Sequence, residues 1–155
     1  MNPLLLTILL SMSPISELRG GIPYALASGF GIWKAFIICV LANILVVIFV
    51  FLFLTYLHKS FLNFNWYKKS FGFLVKRVQK KSVGIEKSSG KWGYFALCIF
   101  VAIPLPMTGA WTGTLIAWFL GWNKVKSFLS IALGVLIAGI VVSLVSLGVI
   151  GIFNL

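Results

Sequence analysis

The apolar residues of this chain fall into two long runs and four short ones. The long runs are Trp33–Leu57, interrupted by only three polar residues, and Ser127–Phe153, which contains no charged residue. Each exceeds the roughly 20 residues that an α-helix needs to cross a hydrocarbon core of about 30 Å. The pattern therefore predicts two transmembrane helices, which we place at 32–57 and 126–153.

The four short runs come in two pairs, each pair flanking a segment rich in proline, glycine and polar residues. Runs of fewer than about 14 residues favour buried, interfacial or re-entrant helices over spanning ones. Non-helical backbone inside a bilayer must be buried in protein or face a water-filled cavity. We therefore predict re-entrant helical hairpins at 3–29 and 92–121. Their helices are the runs Leu4–Met12, Ile22–Ala27, Tyr94–Ile103 and Thr114–Leu120.

The sequence also resembles itself at a shift of 92 residues, with eight identities in 35 ungapped positions. Apolar residues can match by composition alone, but a proline, two glycines and a lysine in one register favour an internal repeat. We predict two units, residues 1–57 and 92–155, each a hairpin followed by a transmembrane helix. The identical pairs are Pro14/Pro106, Gly21/Gly113, Ala25/Ala117, Gly29/Gly121, Lys34/Lys126, Phe36/Phe128, Leu41/Leu133 and Ile48/Ile140.

Composition and charge also favour a membrane protein. Of 155 residues 61% are hydrophobic, against about 45–50% in soluble domains. The 13 bases and two acids give a net charge of +11, and nine of the bases lie between Lys59 and Lys91. Such a cluster can bind nucleic acid, but beside long apolar runs it more often marks a cytoplasmic loop. We therefore expect no nucleic-acid partner and a cytoplasmic linker at 58–91.

The location of the linker determines the direction in which each predicted helix crosses the membrane. Its apolar residues recur at helical spacing, which predicts an amphipathic helix at 61–81 on the anionic leaflet; a helix packed on a partner is the alternative. With the linker inside, the first long helix runs inward and the last runs outward, so the two hairpins enter from opposite sides. Inverted repeats with discontinuous helices are a recurrent plan of transporters, whose substrate site lies at the repeat interface.

The first hairpin tip carries the two most unusual charges of the sequence. Glu17, one of only two acids, and Arg19 lie in the segment SPISELRGGIP at 13–23. Charges at membrane depth usually face a cavity or a partner. One interpretation is that the two residues pair and close the turn. The other is that Glu17 is a titratable carboxylate and Arg19 the cation that holds an anionic substrate.

Backbone groups at both tips could add to such a site. Gly20, Gly21 and Pro23 suit the start of the returning half-helix, whose free N–H groups favour anions. Helix packing through small residues is the alternative explanation for the glycines. Prolines Pro14, Pro23, Pro104 and Pro106 are predicted to shape the hairpins. The candidate substrate contacts are Glu17, Arg19, Gly20, Gly21, Thr108, Gly109, Trp111, Thr112 and Gly113.

The sequence carries no signature of an enzyme. It has no Ser-His-Asp set, paired carboxylate or metal-ligand cluster, and it has a single histidine, His58. Cys39 and Cys98 lie inside apolar runs and are expected to be small buried hydrophobic residues. We therefore expect a protein without catalytic residues, metal or cofactor.

Two motifs resemble those of a known family. The segments Glu17-Leu18-Arg19-Gly20-Gly21-Ile22-Pro23 and Pro104-Leu105-Pro106-Met107-Thr108-Gly109-Ala110-Trp111-Thr112-Gly113 resemble the paired signatures of the prokaryotic small multidrug export protein family. That family is related to the DedA (VTT, SNARE-associated) superfamily of membrane proteins. The resemblance covers nearly the whole chain.

The resemblance implies a lipid-phosphate substrate. DedA proteins are similar in having two oppositely entering hairpins and are implicated in flipping polyprenyl-phosphate carriers such as undecaprenyl phosphate, and eukaryotic relatives scramble phospholipids. By motif match, the acidic position of the first DedA hairpin falls on Glu17. DedA proteins also carry arginines in the second hairpin, whereas this chain has none between Lys91 and Lys124. Either Arg19 contacts the substrate alone or the cargo differs.

Three hypotheses follow from the sequence. The leading one is a flippase of a lipid phosphate in the prokaryotic plasma membrane, with the head group between the two tips, the tail in lipid and Glu17 coupling a proton. The second is an exporter of a small cation or drug that uses Glu17 as counter-ion. The third is a membrane scaffold that transports nothing. A homodimer is expected in the first two cases.

Overall fold

The computed structural model describes residues 2–57, 91–105 and 108–153. This part of the chain is all helical, as predicted. The predicted helix at 61–81 and Pro106 lie outside the described residues. In chain order the helices are α1 (Pro3–Met12), α2 (Glu17–Ala27), α3 (Ile32–Leu52, continued by a π-helical turn at Phe53–Leu57), α4 (Lys91–Ala102), α5 (Ala110–Phe119) and α6 (Lys124–Phe153).

Two of these helices are long and apolar enough to cross a membrane. The candidate spans are Ile32–Tyr56 and Lys124–Val149, which confirms the prediction of two such helices. Both carry large apolar side chains on their outer faces, among them Leu41 and Leu144, as expected of surfaces in contact with lipid rather than water. The other four helices have 10 to 12 residues, about half the length needed to cross.

Helices α2 and α5 end in the same way. Gly29 and Gly121 have positive φ angles of 85° and 66°, the left-handed conformation that glycine adopts without strain. In each case the glycine N–H and the following N–H close a Schellman motif: Gly29 donates to Leu26 and Phe30 to Ala25. The equivalent bonds after α5 join Gly121 to Trp118 and Trp122 to Ala117.

Helix boundaries also coincide at the 92-residue shift. Helix α2 ends at Ala27 and α5 at Phe119, while α3 begins at Ile32 and α6 at Lys124. Each pair of residues is 92 apart. The match therefore extends from residue identities to the ends of helices.

Helix α6 packs closely against two neighbours through small residues. A Cβ on Gly139 would lie 2.9 Å from side-chain atoms of Phe36 and Val40 on α3, and one on Gly134 would lie 2.7 Å from the backbone oxygen of Cys98 on α4. Close backbone approach of this kind is how membrane helices gain packing energy. Gly134 and Gly139 therefore allow α6 to pack closely on α4 and α3.

The start of α2 differs from the prediction. Gly20, Gly21 and Pro23 were expected to open this helix, but it begins at Glu17, so all three lie in its interior. The N–H of Glu17 already bonds the Ser13 carbonyl at 3.0 Å, so helical hydrogen bonding begins before the glycine pair. Because proline has no N–H, Pro23 leaves the Arg19 carbonyl without its usual helical donor.

Candidate functional site

The carboxylate of Glu17 lies at the N-terminus of α5. The Trp111 N–H donates to Glu17 Oε1 at 3.5 Å, and the Ala110 N–H also faces the carboxylate. Helix α5 has no side-chain cap of its own, since its N-cap residue is Gly109. Glu17 therefore supplies the cap from another part of the chain, and its charge meets the partial positive charge of a helix N-terminus. The side chain is 8% exposed.

Two backbone features make this contact possible. A Cβ on Gly109 would lie 1.5 Å from Glu17 Oε2, so any larger residue there would exclude the carboxylate. Glu17 itself has a φ of +46°, a left-handed conformation that is uncommon for a residue with a side chain. Holding it there costs on the order of 1–3 kcal/mol, which the surrounding structure must offset.

Arg19 contacts a different group. Its guanidinium donates to the carbonyl of Leu105, in the loop before α5, and within the described part of the chain no salt bridge joins it to Glu17. The interpretation that Glu17 and Arg19 pair by direct contact finds no ion pair in this structure, although the charge of Arg19 still acts on the Glu17 carboxylate. Side chains two positions apart on a helix do not face each other, and α5 already binds the carboxylate.

Trp111 makes a third bond between the two loops. Its indole Nε1 donates to the Met12 carbonyl at 3.0 Å, satisfying one of the carbonyls left free at the end of α1. Asn43 of α3 reinforces the same end of α1, because its Nδ2 donates to the Ser11 carbonyl at 3.0 Å. The end of α1, just before the loop at 13–16, is thus held against the start of α5.

The threonines in and next to the second motif have different surroundings. Thr108 closes its own loop, since its hydroxyl lies 2.7 Å from the Ile103 carbonyl and accepts from the Leu105 N–H at 3.2 Å. Thr114 is buried and donates to the Ala110 carbonyl at 2.7 Å. Thr112 is half-buried on α5.

The remaining predicted glycines pack helices. A Cβ on Gly21 would lie 2.0 Å from Ser11 Oγ, one on Gly113 would lie 2.7 Å from Val101, and one on Gly20 would lie 2.6 Å from Ser16. Gly21 and Gly113 therefore hold neighbouring helices together. Pro14 is exposed in the first loop.

A groove runs between α2 and α6 and reaches Arg19. It consists of two cavities, of about 230 and 570 Å³, that share Pro23, Val145 and Ser146 as lining residues. The smaller is also lined by Arg19 and Pro104. We call the two cavities together the α2–α6 groove.

Sequence reasoning missed several of these contacts. Asn43 could have been found, because an amide within an apolar span usually has a polar partner. The groove wall on α6 could not, since Val142, Val145 and Val149 are typical of any transmembrane helix. The carbonyls of Met12 and Leu105 carry no residue-specific signal.

Comparison with protein families matches residues 17–141 to the family described as "Putative small multi-drug export protein". The matched range contains both of the segments at 17–23 and 104–113. Neither the curated proteins nor the solved structures give a significant match. The family description is that of an exporter rather than an enzyme, and it agrees with the two apolar spans in indicating a membrane protein. Because the match extends over well more than half of its residues, the chain belongs to the small multi-drug export protein family.

Proposed function

We propose that this protein transports a lipid phosphate, either a polyprenyl-phosphate carrier or a phospholipid, across the plasma membrane of a prokaryote. The observation that carries the proposal is the position of Arg19, which lines the smaller of the two cavities, and the described lining of that cavity contains no acidic residue. A guanidinium is always charged and binds phosphate oxygens through paired N–H donors. The head group would lie beside Arg19, between the two loops.

The environment of Glu17 supports an anionic rather than a cationic cargo. Its carboxylate is bonded to the N-terminus of α5, which carries about half a positive charge, so it is not free to act as counter-ion. Arg19 is bonded to a neutral carbonyl and keeps its full charge. Among the predicted contacts, Thr108 in the second loop and Thr112 on α5 remain in the proposal as hydroxyl groups.

The proposal includes two re-entrant hairpins of inverted topology. Helices α1, α2, α4 and α5 are too short to cross, and the end of α1 and the start of α2 both contact the start of α5. The coincidence of helix ends at the 92-residue shift supports an internal repeat. The basic linker at 58–91 supports a cytoplasmic location for that segment, and the DedA resemblance agrees with this plan. A homodimer remains part of the proposal.

Glu17 would couple a proton to the transport cycle. As a carboxylate it bonds the α5 N-terminus across the loop interface. A proton on Glu17 would remove the charge that makes this bond strong, so the two loops could separate and the head group could pass. Protonation and opening would then occur together.

Reconstituted protein tests the proposal. Proteoliposomes would contain a trace of polyprenyl phosphate with a fluorescent NBD group next to the head group, and dithionite would bleach the label in the outer leaflet. We expect the wild type to expose the inner-leaflet label rapidly and Arg19→Gln to do so no faster than protein-free vesicles. Lys126→Gln, an exposed base on α6, is the matched control and should behave as wild type. Normal transport by Arg19→Gln would reject the proposed role.

The second candidate is an exporter of a cation or drug, which the family description favours. Ethidium efflux from the same vesicles distinguishes the two. A cation exporter should lose efflux with Glu17→Gln but tolerate Arg19→Gln, because only the acid would contact the cargo. A wild type that transports neither probe faster than protein-free vesicles would instead support the scaffold hypothesis.

A further inference from the structure

We infer that the α2–α6 groove holds the hydrocarbon chain of the transported lipid phosphate while its head group lies at Arg19. This rests on the proposed function and changes one part of it, because the tail was expected to stay in lipid. The cargo class becomes an amphiphile with an anionic head and a chain narrow enough for the groove.

The groove has the length that such a ligand needs. Its smaller cavity, about 230 Å³, is the one that reaches Arg19, and its larger cavity, about 570 Å³, extends to Gly29 and Val149. Arg19 and Gly29 are ten positions apart, which is about 15 Å along a helix. That is half the hydrocarbon thickness of a bilayer, so a chain in the groove would extend from the loops to the membrane surface.

The side chains that line the groove are apolar except for Arg19 and Ser146. On α2 it continues with Pro23, Leu26 and Ala27, at the spacing of one helical face. On α6 it comprises three valines and Ser146, whose hydroxyl already donates to the Val142 carbonyl at 2.7 Å. The walls therefore offer no free donor to a polar drug, while a hydrocarbon chain loses little by leaving lipid for them. Charge at one end and apolar walls along the rest complement an amphiphile.

Selection in this groove must depend on shape. Lipid tails are as apolar as the groove walls, so burial alone gives a chain no preference for the protein. Its lining includes small or rigid residues, Pro23, Ala27 and Ser146. The phosphate at Arg19 fixes the position of the chain, and the groove then admits a chain that fits.

Photo-crosslinking tests the position of the chain. The probe is hexadecyl phosphate with a diazirine at mid-chain, incorporated into proteoliposomes of the full-length protein, with adducts located by mass spectrometry. We expect adducts on groove residues such as Pro23 and Val145 and few on Leu144. Leu144 is the matched control for Val145, because 65% of Leu144 and 60% of Val145 is exposed, but Leu144 does not line the groove. Hexadecanol with the same diazirine should label the groove much less, because it has no charge for Arg19. Equal labelling by the alcohol would mean that any bilayer chain enters, and would overturn the inference.

A pair of tryptophan variants tests whether the groove matters for transport. Val145→Trp should lower lipid-phosphate transport by about tenfold, the order expected when an indole overfills a site, whereas Leu144→Trp should not. If adducts formed on the outer face of α6 and transport were normal, the chain would not bind in the groove, so this inference would be rejected while the proposed function was retained. Groove adducts without any phosphate transport would reject the proposed function instead. Folding of both variants is checked by thermal unfolding in detergent.

Discussion

The carboxylate of Glu17 occupies the space that a side chain at position 109 would fill, with Oε2 only 1.5 Å from where a Cβ of Gly109 would lie. An acid in the first motif is thus complementary to a glycine in the second, although 92 residues separate them. The contact joins α2 to the start of α5 and makes the two loops one structural unit. It also explains why a helix start without a side-chain cap is stable in the interior.

Gly109→Ala should destabilise the protein because the new methyl group displaces the Glu17 carboxylate. A buried polar group that loses its hydrogen bonds costs about 1–3 kcal/mol, and a charged group such as this carboxylate costs more. We expect a lower midpoint of thermal unfolding in detergent. Gly148→Ala is the control, since a Cβ there meets nothing within 4 Å and alanine favours a helix. Equal midpoints for the two variants would contradict the contact.

Two replacements of Glu17 should separate its backbone strain from its side-chain bonds. Both Glu17→Gly and Glu17→Ala remove the carboxylate, but only glycine accepts the φ of +46° without strain. We therefore expect Glu17→Gly to be the more stable of the two by about 1 kcal/mol, the lower end of the cost of a left-handed residue. Chemical denaturation of both variants in the same detergent measures the difference. Alanine equal to glycine would mean that the position is not strained.

The helices were predictable from the sequence because their signals are local. Long apolar runs predict α3 and α6, and Gly29 and Gly121 mark the ends of α2 and α5. The start of α2 was not predictable in this way. Glycine and proline usually open or break a helix, yet here Gly21 is needed for packing against Ser11 of α1, so tertiary contact outweighs local propensity.

The residues of the site were predictable from the sequence, but the groups to which they bond were not. The motifs identify Glu17, Arg19 and Trp111, and these residues do lie at the contact between α2 and the segment that begins α5. Their partners are backbone groups, however: N–H groups of α5 and the carbonyls of Leu105 and Met12. Every residue has a backbone N–H or carbonyl, so no sequence pattern distinguishes these from the rest.

Trp111→Phe should weaken the bond between the two loops while keeping most of the apolar contact. The variant leaves the Met12 carbonyl without its indole donor, and an unpaired group of this kind costs about 1–3 kcal/mol. Trp33→Phe is the control because Trp33 is 77% exposed. We expect the first variant to unfold at a lower temperature than wild type and the second within error of it. If Trp111→Phe left the unfolding temperature unchanged, the indole bond would contribute nothing to stability.

Substitutions at Gly29 and Gly121 should have equal effects if the two turns are equivalent. A Cβ at either position meets no atom within 4 Å, so the cost of alanine comes from the positive φ alone and should be about 1–2 kcal/mol in each case. Asparagine tolerates this conformation better, and Gly29→Asn and Gly121→Asn should recover part of the loss. Thermal unfolding of all four variants measures both the loss and the recovery of stability. A large loss at one turn with none at the other would argue against equivalence.

Cysteine labelling decides whether the two helix pairs enter from opposite sides. In a protein with Cys39 and Cys98 replaced by alanine, single cysteines would be placed at Gly31, where a side chain has free space, and at Lys124, which is exposed. These positions precede or begin the two long helices. Because basic segments remain in the cytoplasm, we expect an impermeant maleimide to label Gly31→Cys in intact cells and Lys124→Cys only in inverted vesicles. Labelling of both from the same side would exclude inverted topology, since α3 and α6 would then cross in the same direction.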